Sequence, residues 1–212
     1  MTLSPTAQRY YPGAIQYPGP AGKVYAEANT VDGAILHSMQ GSWAGAQTVL
    51  YDENVDTSNR YRAACWHFSI LRSGEVYQHY PLDASPFHAG NGVDNRRLIG
   101  IEHEGGPPGN LSEPLTAAQT VSSVALVRWI ALTAGWEALT RHTRLLEHNE
   151  TTSTQCPSGR IDWSRYMDTF TQEDVITLFK YVVGGNGIAP GVTVTPQPRS
   201  PQNNRVFKIE MP

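Results

Sequence analysis

His37, His148 and Cys156 are of the residue types that bind a transition metal, and two of them occupy telling positions. His37 follows the apolar run Gly33-Ala34-Ile35-Leu36, and His148 closes a second segment over residues 143–148. Each therefore falls at the carboxyl end of an expected strand, where ligands collect in open α/β sheets. Cys156 comes eight residues after His148, in the polar loop HNETTSTQCPSG, which can fold back toward the strand it left. A catalytic zinc ion takes three protein ligands drawn from His, Cys and carboxylate and keeps a fourth position open for water. This set supplies three. Spacing alone leaves other readings open. Either histidine serves as well as a hydrogen-bonded residue at a strand end, and Cys156 could instead pair with Cys65, although a chain without a secretion signal begins in a reducing compartment.

Hydrolysis at such a site also needs a group that takes a proton from water, and a carboxylate raised in pKa by burial is a natural supplier. The stretch from Leu98 ends in GIEHEGG. Alternation along a strand puts Glu102 and Glu104 on one face and His103 on the other. An acidic residue closing an apolar strand costs desolvation unless it is used or paired, so a bridge from Glu102 to Arg96 or Arg97 is the structural alternative.

The elements that must position these groups read as strands alternating with helices. Gly33 to Leu36, Ala64 to Leu71, Glu75 to Tyr80, Leu98 to Glu102 and residues 143–148 have strand character, with Ser73-Gly74 as a hairpin signal. Thr116 with Gln119 forms a capping box opening a helix in which Val121, Val124, Ala125, Arg128 and Leu132 advance at helical spacing toward Gly135. Thr171 to Val183 reads as a last amphipathic helix. The fold class is α/β: one domain with a central mixed β-sheet flanked by helices and a cleft at the strand ends. Residues 1–30, with four prolines, are expected as an irregular arm, 31–183 as the catalytic domain, and 184–212 as a Gly/Pro-rich tail.

Composition bounds the partners. The chain has 212 residues and a net charge of −3, with 17% charged and 40% hydrophobic residues. This excludes a strongly cationic nucleic-acid binder and a compositionally disordered chain. Two cysteines are too few for a disulfide scaffold. No run approaches a membrane span, so no stable membrane insertion is expected, and the start lacks a secretory signal.

With these residues collected, the chain resembles the zinc-dependent N-acetylmuramoyl-L-alanine amidases of the second type, a family of phage endolysins, muropeptide-recycling enzymes and animal peptidoglycan recognition proteins. AILHSMQGSWAGA looks like the first ligand strand and its following loop, and CWHFSILRSGEVYQ like the second strand and hairpin. PFHAGN, IGIEHEGG and LEHNETTSTQCPSGRIDWSRY follow in the family's order. The resemblance implies one zinc ion per chain on His37, His148 and Cys156. Glu102 falls where the recycling branch carries its general base, and Thr154 where relatives carry Lys or Thr near the substrate carbonyl. His88 matches a position that contacts substrate or supports the ligands, with Asn91 beside it. Trp66 departs from the pattern, standing where other branches have tyrosine. Indole is no acid or base near neutral pH, so Trp66 is expected as a wall of the substrate cleft. His67 is expected as a satisfied core histidine, and Trp163 as packing beneath the ligand loop.

The implied reaction is cleavage of the amide between N-acetylmuramic acid and L-alanine in bacterial peptidoglycan. The rivals are a non-catalytic peptidoglycan-binding module and a zinc peptidase cutting within the stem peptide. Without a signal, the chain is expected to be made in the host cytoplasm and, as a phage-type endolysin, to reach the wall after holin-mediated release. A cytoplasmic recycling enzyme fits the same feature. Oligomeric state is left open.

Overall fold

A computed structural model of the chain describes residues 9–53 and 63–167, together with the strands Thr193–Pro196 and Phe207–Glu210. In chain order the strands are β1 (Ile15–Gln16), β2 (Val24–Tyr25), β3 (Gly33–Ser38), β4 (Phe68–Ile70), β5 (Val76–Gln78), β6 (Ser85–Pro86), β7 (Leu98–His103), β8 (Leu145–Glu147), β9 (Thr193–Pro196) and β10 (Phe207–Glu210). The helices are α1 (Trp43–Leu50), α2 (Gly92–Asn95), α3 (Ala117–Thr133) and α4 (Ser164–Met167).

Among the described residues, six strands form one mixed sheet in the order β1-β5-β4-β7-β3-β8. Only the β4–β5 pair is antiparallel, and it is closed by the expected Ser73-Gly74 turn. Gly74 takes φ +89° there, and a Cβ would meet Ala118 and Ser122 at 3.1 Å. β3 is buried along its whole length and β7 nearly so, as parallel strands covered on both faces require. Ala34, Leu36, Phe68, Ile70, Ile99 and Ile101 face α3 and join its Leu126, Val127 and Ile130 in the main core. On the other face Ile35, Leu98, Leu146 and Ala89 make a small cluster beneath the strand ends.

The capping box forms as read: Thr116 Oγ1 accepts from Gln119 N and Gln119 Oε1 from Thr116 N, both at 3.1 Å. Gly135, at φ +67°, follows the helix end. The apolar spacing misleads on orientation, because Val121 and Leu132 are 70% and 42% exposed. The inward stripe instead includes Gln119 and Ser123, polar residues whose partners lie on the sheet. Gln119 Nε2 donates to Ile70 O and Glu104 O, and Ser123 Oγ meets His103 Nε2 at 2.8 Å. Ala117–Ala134 is also long and apolar enough by composition to cross a membrane, contrary to the sequence expectation. Here it is the helix packed on the sheet.

Other boundaries need correction. The segment after His37, expected as a loop, enters α1 at Trp43, capped by Ser42 Oγ, which accepts from Gly45 N. The helix lacks an apolar stripe long enough to read. β4, β5 and β8 are shorter than expected, since the chain leaves the sheet where loops take over its hydrogen bonds: Cys65 N donates to Phe87 O and His67 N to Gly100 O. The described part of the N-terminal arm pairs twice with the rest of the protein, β1 with β5 and β2 with β6. Lys23 is buried, and its Nζ donates to Val49 O at 2.6 Å. Thr171 to Val183 lies outside the described residues, and in the expected tail β9 pairs antiparallel with β10.

Replacing Thr116 with Ala removes one half of the capping box and should lower the unfolding free energy by about 1 kcal/mol in urea denaturation. An unchanged midpoint would mean that packing alone starts the helix.

Candidate metal centre

His37 is the fifth residue of β3, which lies between β7 and β8, and the pairing aligns it with Glu102 of β7. Side chains at paired positions share a face, so His37 and Glu102 emerge side by side on the sheet face opposite α3. His148 begins a single 3-10 turn directly after β8, and its ring centroid lies 4.4 Å from that of His37. The loop that follows returns Cys156 to the same point, where Sγ accepts from Ser38 N at 3.1 Å and lies 3.9 Å from His37 Nδ1. One donor atom from each of His37, His148 and Cys156 falls within 4.8 Å of the others. A tetrahedral ion with bonds of roughly 2.0–2.3 Å to N and S needs donors about 3.3–3.8 Å apart, so the cluster fits zinc with little closure.

The surroundings favour ligand forms of the histidines. Burial, reinforced by neighbouring His148, His88 and His103, drives the His37 pKa well below the usual histidine value. Burial takes His88 down to about 3 and His103 to about 4. Neutral imidazoles bind metal; imidazolium does not. The Cys156 thiol is pushed up by burial and then by Glu102, so metal binding must displace its proton.

Glu102 is the least satisfied group of the site. Its Oε1 stands 3.8 Å from His37 Nδ1, while Oε2 is buried with no hydrogen-bond partner among the described residues. Burial raises its pKa to about 8, against the lowering field of Arg160. The alternative bridges are absent: Arg97 pairs with Asp94, and Arg96 lies over the Tyr25 ring. Glu104 lies just past the end of β7, and its carboxylate is consumed by backbone, accepting from Trp43 N and Arg72 N.

Thr154 Oγ1 accepts from Cys156 N at 3.2 Å, and Thr154 lines a cavity of about 440 Å³ with Tyr25, Phe87, His88, Asn91 and His148. Asn91 caps α2 through Oδ1, and its Nδ2 donates to Asp94 and to Thr151 O, which ties this wall to the ligand loop. His88 is at the cavity but only 7% exposed, and both its ring nitrogens are engaged inside the protein, toward His37 and Leu98 O. Trp66, expected as a wall of the cleft, is not among the residues that line this cavity. It is 5% exposed, packs with Leu50, Cys65 and Tyr80, and donates its indole N–H to Ser69 Oγ at 2.8 Å. The bulky indole finds both its apolar packing and its one acceptor inward.

Cys65 and Cys156 are both free thiols, and Cys65 donates to Lys23 O, so the disulfide alternative is not formed. His67 is a satisfied core histidine, donating from Nε2 to Ala84 O and accepting Gly100 N at Nδ1. Trp163 packs against the main core, donates to Glu147 Oε1 and lies under the Arg141 guanidinium. Sequence reasoning missed Arg160. Its guanidinium, 3% exposed, donates to Ser38 Oγ, His103 O, Glu104 O and Glu113 O, and so binds the ends of β3 and β7 to the ligand loop. A charged residue four positions after the ligand cysteine was the available signal. His103 was likewise unassigned; its Nδ1–H donates to His37 O at 2.8 Å.

These features describe a mixed α/β domain with a His, His, Cys centre at the carboxyl ends of its parallel strands. The sequence profile of the N-acetylmuramoyl-L-alanine amidase family matches residues 27–159, and the chain belongs to that family. It is 26% identical over 143 residues to the N-acetylmuramoyl-L-alanine amidase CwlH of Bacillus subtilis, covering 66% of this chain and 52% of that protein. To Endolysin 2638A of Staphylococcus phage 2638A it is 26% identical, over 64% of this chain and 27% of the endolysin. The chain thus spans about half the length of the first relative and about a quarter of the second. The solved catalytic domain of XlyA superposes with a TM-score of 0.52 at 25% identity, covering 73% of this chain and 96% of the domain.

A buried neutral histidine sets an acid limit on stability. His79 Nδ1 donates to Tyr17 O and its Nε2 meets Ser69 Oγ, while burial lowers its pKa from 6.5 to about 4. The unfolded chain then binds the proton first, so stability is full above pH 6.5 and is lost as pH falls toward about 4. Urea denaturation of the metal-free protein across that range should show a loss of roughly 3 kcal/mol from His79 alone, and His79→Gln should flatten the profile by a similar amount.

Proposed function

We propose that the protein is a zinc-dependent hydrolase that cleaves the amide between N-acetylmuramic acid and L-alanine in bacterial peptidoglycan, with one zinc ion held by His37, His148 and Cys156. The observation that carries the reading is the convergence of three donor atoms within 4.8 Å beside a buried carboxyl oxygen that has no hydrogen-bond partner among the described residues. A buried unpaired carboxyl is costly to keep unless it has work to do. When bound, zinc supplies Lewis acidity, bringing the pKa of water toward about 7 and polarising the scissile carbonyl.

Glu102 takes the proton of the attacking water and returns it to the leaving amine nitrogen. Its raised proton affinity suits both halves of that task near neutral pH, the first in its ionised form and the second once protonated. Thr154 Oγ1 accepts from Cys156 N, which leaves its O–H to donate to the oxyanion that develops on the scissile carbonyl. The cavity, which His148 and Thr154 line together with Tyr25, Phe87 and Asn91, sets apolar wall against several polar side chains, suited to holding one arm of the substrate. The likeness to a phage endolysin supports a wall-lytic role, with action on the cell wall after release from the host cytoplasm.

Digestion of purified peptidoglycan, followed by mass spectrometry, tests this. Chelator-sensitive release of intact stem peptides beginning at L-alanine, with glycan strands uncut, is the expected result. Shortened stems alone would make it a peptidase; co-sedimentation with the wall and no release would make it a binding module. Glu102→Gln should keep zinc and lose about 100- to 10,000-fold in turnover. Cys156→Ser should lose zinc and activity together, as read by metal analysis of the purified variant.

A further inference from the structure

We propose that His88 is a positioning residue for the metal: a chain from the Leu98 carbonyl through His88 to His37 holds the His37 imidazole in the tautomer that turns the bare Nδ1 lone pair toward Cys156. The inference rests on the metal reading above and goes beyond the ligand set to how one ligand is prepared.

The tautomers follow from what each neighbour can do. A backbone carbonyl only accepts, so the His88 nitrogen facing Leu98 O at 3.1 Å, Nε2, carries the proton. A neutral imidazole has a single N–H, which leaves His88 Nδ1 as an acceptor. His37 Nε2 lies 3.2 Å from that atom and supplies the proton to the contact. His37 Nδ1 is then the unprotonated nitrogen. It is the one that lies 3.9 Å from Cys156 Sγ and 3.8 Å from Glu102 Oε1. A donor bond from the second nitrogen of a ligating histidine fixes ring orientation and raises ligand basicity.

The protein builds a seat for this role. His88 N and Ala89 N both donate to Asn95 Oδ1, at 2.9 and 2.7 Å, and Asn29 Nδ2 donates to both Asn95 O and Leu98 O. The ring lies over Gly100 of β7, where a Cβ would stand 2.6 Å from His88 Cγ and 2.8 Å from Nδ1. Any larger residue at position 100 would evict the ring. From the opposite face His103 holds the His37 carbonyl, so ring and backbone of the ligand are fixed independently.

Two measurements test the proposal, with zinc as the probe. In the metal-free parent, nitrogen-15 NMR of labelled histidines should show His37 protonated at Nε2 and bare at Nδ1; a proton on Nδ1 would overturn the proposal without any variant. By chelator competition, His88→Phe, which keeps a ring over Gly100 but offers no acceptor, should weaken zinc binding about 10- to 100-fold, and His88→Asn, which presents an oxygen near the place of Nδ1, should recover most of it. Parent-like affinity in a folded His88→Phe would refute the role of His88 and leave the metal centre standing. A parent chain that takes up no zinc would instead defeat the metal reading, and this proposal with it.

Discussion

His37 leaves water on folding, because β3 is paired on both edges and covered on both faces near its carboxyl end. An imidazole there must find every partner within the protein, and the surrounding sequence is arranged around that demand. His88 meets one ring nitrogen, His103 the backbone carbonyl, and Cys156 and Glu102 stand before the other nitrogen. The resulting neutral ring is what a metal requires, so one desolvation both constrains the fold and prepares the ligand.

The polar groups around His37 are distributed unevenly, and the unevenness has chemical meaning. Beneath the sheet the network closes: Tyr166 donates to Ser123, Ser123 meets His103, and His103 donates to His37 O. Above it the network stays open, with a buried carboxyl oxygen unpartnered among the described residues and a thiol whose proton burial retains. Arg160 stands between the two regimes. Its hydrogen bonds go to Ser38 and to backbone carbonyls, so the cation lends its field to Glu102 and Cys156 without consuming either as a partner.

The side of the sheet covered by α3 explains how this arrangement is held. Its apolar residues supply the burial, while Gln119 reaches the backbone at the last residue of β4 and just past β7. Polar side chains at such positions secure the register of the strands that carry His37 and Glu102, because a one-residue slip would turn both away from the site. The same polar residues interrupt the apolar stripe, which is why counting Val121 and Leu132 points to the wrong face.

Local physics made much of the protein legible from its sequence. The apolar runs of β3 and β7, the Ser73-Gly74 turn, the Thr116 capping box and the ordered blocks holding His37, Glu102, His148 and Cys156 all depend on neighbours along the chain, so they can be read there. The helix after His37 and the pairing of the N-terminal segment with the sheet could not, since neither carries a periodic pattern. Nor could the inward turn of Trp66, the bracing of His37 by His88 and His103, or the placement of Arg160. Those depend on which carbonyls and hydroxyls come within hydrogen-bonding distance across separations such as the 66 residues from His37 to His103 or the 122 from Ser38 to Arg160. The sequence alone determined which chemical groups were available and which strands would be buried. The tertiary structure decided which polar groups were consumed by partners and which were left for a metal and a substrate, because hydrogen-bond satisfaction in a buried site is settled only when distant segments meet.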